Sequence, residues 1–179
     1  MTTPYFYMCN PNLLHINSVI MFLKQAISFV MRCNNLSWEP PVSTIIDEFN
    51  PTPFPLFQPT FGTAIAHICM EELFSRYEPE WSLLPEIEAT TYIQNYLKAL
   101  VEGVPHESYD TNFYFVSFIC RFCVQAIRLD RSEIVPCILT EAALILFSRC
   151  NSFDDIFNLH QAAIEYINQH CKKCRKRRR

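Results

Sequence analysis

Glycine is nearly absent: Gly62 and Gly103 are the only two in 179 residues. Tight hairpin turns and phosphate-cradling loops both need residues that adopt positive φ, so turn-rich β folds and glycine-loop nucleotide enzymes are excluded. Charge is also sparse, at 18% of residues, against a hydrophobic half. That apolar share supports a real core and exceeds what disordered chains carry. There is no Walker loop, no His-Glu-x-x-His pair and no nucleophile motif. No run of about 20 apolar residues is uninterrupted, so no transmembrane span is expected. The closest, Phe113 to Leu129, carries Arg121 near its middle. The first residues lack the positive segment and apolar stretch of a secretory leader. What these absences leave is an all-α, single-domain, non-enzymatic protein with no expected catalytic residue, metal or cofactor.

Basic residues are unevenly placed. Lys172, Lys173, Arg175, Lys176, Arg177, Arg178 and Arg179 hold seven of the 15, which leaves residues 1–171 with eight basic and 18 acidic side chains, a net of −10. An acidic body repels nucleic acid over most of its surface, so nucleic acid is not the expected partner. The chain divides into a body, 1–171, and a basic tail, 172–179. The tail fits a solvated terminus, a signal read by an import receptor or an anionic membrane surface, or a phosphate grip. The expected location is intracellular: cytoplasmic, with nuclear entry or peripheral membrane contact open through the tail.

Nine cysteines, an odd number, fall largely inside apolar runs where free thiols behave as small hydrophobes. This usage points to a reducing compartment with few or no disulfides. Cys120-x-x-Cys123 and Cys171-x-x-Cys174 share the spacing of zinc ligand pairs, but the first pair sits in the most hydrophobic stretch and reads better as core. His160, His170 and Cys171 could meet a metal or simply line a solvated helix face. His67 stands one turn before Glu71, and more often such a pair is surface decoration than a dyad. Asp154 and Asp155 suit a helix start, favoured there by the macrodipole.

Helices separated by proline organise the body. Asn10-Pro11 reads as an N-cap followed by proline at the first helical position. Leu13, Ile16, Ile20, Leu23, Ile27 and Val30 then trace one face, widened by Val19, Phe22, Ala26 and Phe29, up to Asn34-Asn35. Six of the 12 prolines lie in the connection 40–59, where only 44–49 has room for a short helix. Further helices are expected from Phe61 to Tyr77 and from Pro85 to Val101, the latter capped by Gly103. Asp110 or Thr111 should cap a helix running to Leu129 that is apolar on nearly all sides and therefore belongs in the middle of a bundle. Asp130 or Ser132 starts another, to Arg149. Ser152-Phe153-Asp154-Asp155 resembles a capping box opening a last helix to about Cys171. The expectation is a single globular bundle of about seven helices around a hydrophobic central one.

This order resembles the Bcl-2 family of apoptosis regulators, over residues 85–165 above all. Leu97-Lys98-Ala99-Leu100-Val101-Glu102-Gly103, then Asn112-Phe113-Tyr114-Phe115-Val116-Ser117-Phe118, looks like the first homology motif, with Asn112-Phe113 standing for Asn-Trp. Ser152-Phe153-Asp154-Asp155-Ile156-Phe157 looks like the second, with Phe153 in place of Trp, Asp154 matching Asp and Phe157 displaced by one. Tyr114 and Phe115 occupy the family's Gly and Arg positions. The missing Arg removes a charge-assisted hydrogen bond to a partner's Asp, and Arg121 lies too far along the helix to replace it obviously. Divergence of this kind suggests a viral member.

What the resemblance implies is a host-apoptosis regulator that binds the amphipathic death-motif helix of a pro-apoptotic host protein in a hydrophobic groove. The groove walls would be Ile65, Ile68, Leu73, Phe74 and Tyr77 on one helix, and Ile93, Tyr96, Leu97 and Leu100 on the next. Asn112, Phe113, Val116 and Ile119 would come from the central helix. Each is also what an ordinary core stripe looks like. The rival reading is a helical viral accessory protein using the basic tail for RNA binding or nuclear targeting, with no groove.

Overall fold

The computed structural model describes residues 13–39, 56–69 and 80–176. Among these residues there are six α-helices and no strand: α1 (Ile16–Cys33), α2 (Pro59–Cys69), α3 (Glu86–Val101), α4 (Tyr109–Arg128), α5 (Val135–Arg149) and α6 (Phe153–Lys176). Short 3₁₀ turns at Glu80–Leu83 and Ser132–Ile134 lead into α3 and α5. The all-α expectation holds. The short helix expected at 44–49 and the second half of the one expected to reach Tyr77 lie outside the described residues.

Helix ends follow local chemistry. Asn35 takes φ 56° at the end of α1. The Asn35 and Leu36 amides donate to the carbonyls of Arg32 and Met31 at 3.1 and 2.9 Å, the paired bonds of a Schellman cap. Asp130, at φ 57°, ends α4 the same way, with the Arg131 amide donating to the Ala126 carbonyl at 2.7 Å. Gly103, at φ 73°, follows α3 as its sequence position suggested. At the start of α6 the capping box forms in both directions. The Asp155 amide donates to Ser152 Oγ at 3.1 Å, and Asp155 Oδ2 accepts from the Ser152 and Asn151 amides at 3.2 and 3.1 Å.

Several boundaries differ from the sequence reading; the central helix is capped at Ser108 and begins at Tyr109, ahead of the expected Asp110 or Thr111. The first helix begins at Ile16, where the side chain of His15 caps by accepting from the Asn17 amide. Leu13 and Leu14 are held outside it: Leu13 forms an isolated antiparallel bridge with Ser152, and the Leu14 amide donates to the Asn151 carbonyl at 2.7 Å. The buried face of α1 accordingly centres on Val19, Phe22, Leu23, Ala26, Ile27 and Val30, while Leu13 is 56% exposed. At the other end, α6 does not stop near Cys171 but runs on to Lys176, so Lys172, Lys173, Arg175 and Lys176 are helical.

The helix α4 occupies the middle. It packs against each of the other five, and the neighbours α3, α5, α1, α2 and α6 contact one another in that order around it. Eleven of its side chains are buried, from Asn112 to Ala126. Gly62 lets α2 approach α1 closely, since a Cβ there would lie 2.6 Å from the Phe29 ring. By length and apolarity α1 could cross a bilayer, and here half of it is buried inside the bundle.

The capping box yields a measurable expectation. Asp155 also accepts from the Tyr109 hydroxyl at 2.8 Å, which joins the starts of α4 and α6. Burial, reinforced by that bond, raises the Tyr109 pKa. Asp155→Ala removes the cap and the tie together, and should lower stability by about 2–3 kcal/mol in urea unfolding, with Tyr109→Phe losing only about 1 kcal/mol.

Candidate functional site

The proposed groove residues do not share one environment. Ile65, Ile68, Ile93, Leu97, Asn112, Phe113, Val116 and Ile119 are all at most 1% exposed and belong to the core. In this conformation they offer no surface to a partner, because the faces expected to line a slot are those the bundle closes upon itself. Tyr96 and Leu100 are half-buried. Leu73, Phe74 and Tyr77 lie outside the described residues, as do Arg177, Arg178 and Arg179 of the tail.

What the central helix leaves accessible is a narrow stripe: Tyr114, Phe118, Arg121 and Gln125, spaced four, three and four residues apart. That spacing keeps them on one side of a helix. Among the described residues, α3 and α6 stand at the two ends of the ring of neighbours around α4, with no extensive contact between them. Aromatic residues of α3 form one wall: Tyr92 and Tyr96 stack at 6.4 Å and 13°, and Tyr96 meets Phe118 and Phe122 edge-on at 6.4 and 5.4 Å. Arg121 follows Phe118 by three residues on the same side of α4 and is partly accessible. Its Nε is buried yet has no hydrogen-bond partner. A buried donor left unpaired costs on the order of 1–3 kcal/mol, so an acceptor brought to this place is favoured. Sequence reasoning passed over the stripe. The available signal was the recurrence of Arg121 and Gln125 one turn apart in an otherwise apolar helix.

Asn112, which opens the second half of the first motif, sits at the base of α4. Asn112 is fully buried: its Oδ1 accepts from Arg149 Nε at 2.6 Å, and its Nδ2 donates to the His106 carbonyl at 3.0 Å and lies 3.5 Å from Cys150 Sγ. Arg149 is 6% exposed and also donates to the carbonyls of Val104 and Pro105 at 3.0 and 2.8 Å. Burial lowers its pKa, and burial, reinforced by Asp155, pushes the Cys150 thiol up to about 12 against the opposing effects of Arg149 and Asn112. Asn112 therefore anchors the loop before α4 from within rather than greeting a partner. Beside this junction a cleft of about 290 Å³ is lined by Glu107, Asp110, Glu165, Asn158 and Gln161, an acidic surface consistent with the charge of the body.

Among the described residues no three of His, Cys, Asp and Glu converge as metal ligands. Cys120 and Cys123 are buried free thiols, and burial raises the Cys123 pKa strongly, so it stays protonated. The side chains of Cys171 and Cys174, like Glu71 beside His67, lie outside the described residues. His160 is not on a solvated face but 6% exposed, between Phe22 at 5.9 Å and Phe61 at 5.1 Å. Its Nδ1 lies 2.7 Å from the Ile156 carbonyl, so Nδ1 carries the proton, while Nε2 is buried without a partner.

Burial lowers the His160 pKa below its model-compound value of 6.5, against the raising effect of the Ile156 carbonyl. The unfolded chain thus takes up a proton at a pH where the folded chain does not. This contribution to stability is complete above about pH 6.5 and is lost as pH falls toward the folded-state value. Thermal melts between pH 7.5 and 5 should show a falling midpoint, and His160→Leu should flatten that slope.

No protein-family model, curated protein or solved structure matches this chain.

Proposed function

We propose that this protein is a non-enzymatic regulator of host cell death, with a Bcl-2-like bundle, that binds the amphipathic helix of a pro-apoptotic protein against the open stripe of its central helix. The observation that carries the reading is Arg121: a cation with an unsatisfied buried donor, on the same accessible side of α4 as Tyr114 and Phe118. An amphipathic helix offers the matching chemistry, apolar anchors at i, i+3 or i+4 and i+7 for the aromatic wall and a carboxylate for the guanidinium. The enclosed apolar rod with amphipathic neighbours supports the same architecture, as does the joining of the two motif-bearing segments through Tyr109 and Asp155.

Calorimetry against a panel of death-motif peptides tests the proposal. Binding is expected for at least one peptide, with Arg121→Ala weakening it about 10- to 100-fold. Arg121→Glu should abolish it, and exchanging the peptide's Asp for Arg should restore part of it. Silence across the whole panel sinks the capture mechanism.

The rival, a tail-driven accessory protein, draws on one structural fact: α6 carries four basic residues out to Lys176. It requires that deleting 172–179 abolish function while Arg121 variants do nothing, and that RNA affinity fall steeply with salt.

A further inference from the structure

The outer face of α6 is apolar in a way the bundle does not use, and it is independent of the stripe on α4. Phe153, Phe157 and Ile164 are 40, 62 and 37% exposed. With Gln161 and Asn168, also exposed, they recur at spacings of four, four, three and four residues, which is one side of a helix. Leu13, bridged to Ser152, adds another exposed apolar side chain at the start of α6. The other side of the helix, with Ile156, Leu159, Ala163 and Tyr166, is buried, and α6 packs on α2 and α4.

Charge along α6 is polarised. Residues 153–165 hold three acidic side chains, Asp154, Asp155 and Glu165, and no Lys or Arg. Residues 166–176 hold four basic ones and no Asp or Glu. Lys172 and Arg175 stand at the next positions of the same four-and-three spacing. Glu107 and Asp110 reinforce the acidic half, since they line the cleft together with Asn158, Gln161 and Glu165. A continuous helix keeps the two ends apart: at 1.5 Å per residue, Asp154 and Arg175 are separated by about 32 Å. Arg175 cannot reach Asp154 of its own chain, but it can meet Asp154 of another molecule lying antiparallel.

We propose that a second copy of this chain occupies the face, α6 against α6, antiparallel about a two-fold axis near Ile164. That axis maps the stripe onto itself. Phe153 of one copy comes level with Arg175 of the other, and Phe157 comes level with the turn that holds Lys172. Asp154 stands at the same end as Phe153. Each exposed ring then gains a cation and each cation a carboxylate. The contact is isologous, so its two ends make the same bonds and the assembly closes at two. A parallel pair would set like charges side by side instead. One helix pair of this length is small for an interface, so a reversible dimer of micromolar affinity is expected.

Sedimentation equilibrium of the full chain tests this, with a non-thiol reductant present to exclude disulfide cross-links. The wild type should show a monomer–dimer equilibrium. Phe157→Asp should weaken the dimer at least about ten-fold, with a thermal midpoint near that of the wild type because the side chain is exposed. Asp154→Arg and Arg175→Asp each bring like charges together at both ends, and each should weaken the dimer about ten-fold. Mixed in equal amounts, these two variants are complementary at both ends and should recover an affinity near that of the wild type. That recovery is particular to the antiparallel arrangement. A wild type that stays monomeric up to about 200 μM, a dimer indifferent to Phe157→Asp, or a mixture no tighter than either variant alone each overturns the proposal, the first by leaving the face to a different occupant.

Discussion

Arg149→Met should cost about 3–5 kcal/mol of folding stability, among the largest losses available from a single side chain in this molecule. The guanidinium is nearly inaccessible and has three acceptors: the Asn112 side chain and the carbonyls of Val104 and Pro105. No carboxylate is among them. Its charge is balanced by these dipoles, by the Glu107 carboxylate at longer range and by the negative end of α5, whose last residue it is. Methionine fills the volume of the stem but satisfies none of the three oxygens, so the loss is the desolvation of several buried acceptors rather than one bond. Arg149→Lys keeps the charge without the planar fork and should retain only part of the stability. A double-mutant cycle is diagnostic. Asn112→Leu combined with Arg149→Met should cost less than the sum of the two, because each single change strands the partner that the other removes. Urea unfolding midpoints measure all four proteins. Additivity within about 0.5 kcal/mol would mean that the 2.6 Å contact carries no coupling.

That junction also shows where sequence reading stops. Nothing in the spacing of Asn112 and Arg149, 37 residues apart, connects them. The family motif points Asn112 toward a partner surface, whereas the side chain holds a loop from inside. Helix ends were another matter. Asn34-Asn35, Gly103 and Ser152 with Asp155 act within a few residues of chain, so the residues that cap are the residues one reads. The start of α1 failed the same test for a physical reason. Asn10-Pro11 is a good local signal, but the antiparallel contact of Leu13 and Leu14 with Asn151 and Ser152 is tertiary and sets the chain's entry.

The candidate site was legible in part for a related reason. A helix apolar on nearly every side announces that it is enclosed, and α4 is. It does not announce which side its neighbours leave open, because that depends on how they close around it. Val116 and Ile119 looked as suitable for a groove as any apolar residue on α4. Arg121 sits seven residues beyond Tyr114 on the accessible stripe. The sequence held the period; only packing could supply its phase.

Val116→Asp tests that phase most severely. Val116 is fully buried on α4, in a helix with five others packed around it. An ionised carboxylate there has no partner and costs several kcal/mol, comparable with the whole stability of an ordinary domain at about 5–15 kcal/mol. The expected outcome is loss of the cooperative melting transition at pH 8, with partial recovery toward pH 5, because a buried carboxyl escapes the penalty by staying protonated. Leu97→Asp, equally buried on α3, should behave alike. Neither substitution can therefore report on partner binding, since each removes the fold first. Tyr114→Asp, two residues away and 39% exposed, should stay within about 1 kcal/mol of the wild type while weakening any helix bound to the stripe. Circular dichroism melts of the three variants decide the matter. If Val116→Asp melts like the wild type, α4 has an open side at Val116, and the enclosure on which both the fold and the proposed partner surface rest is wrong.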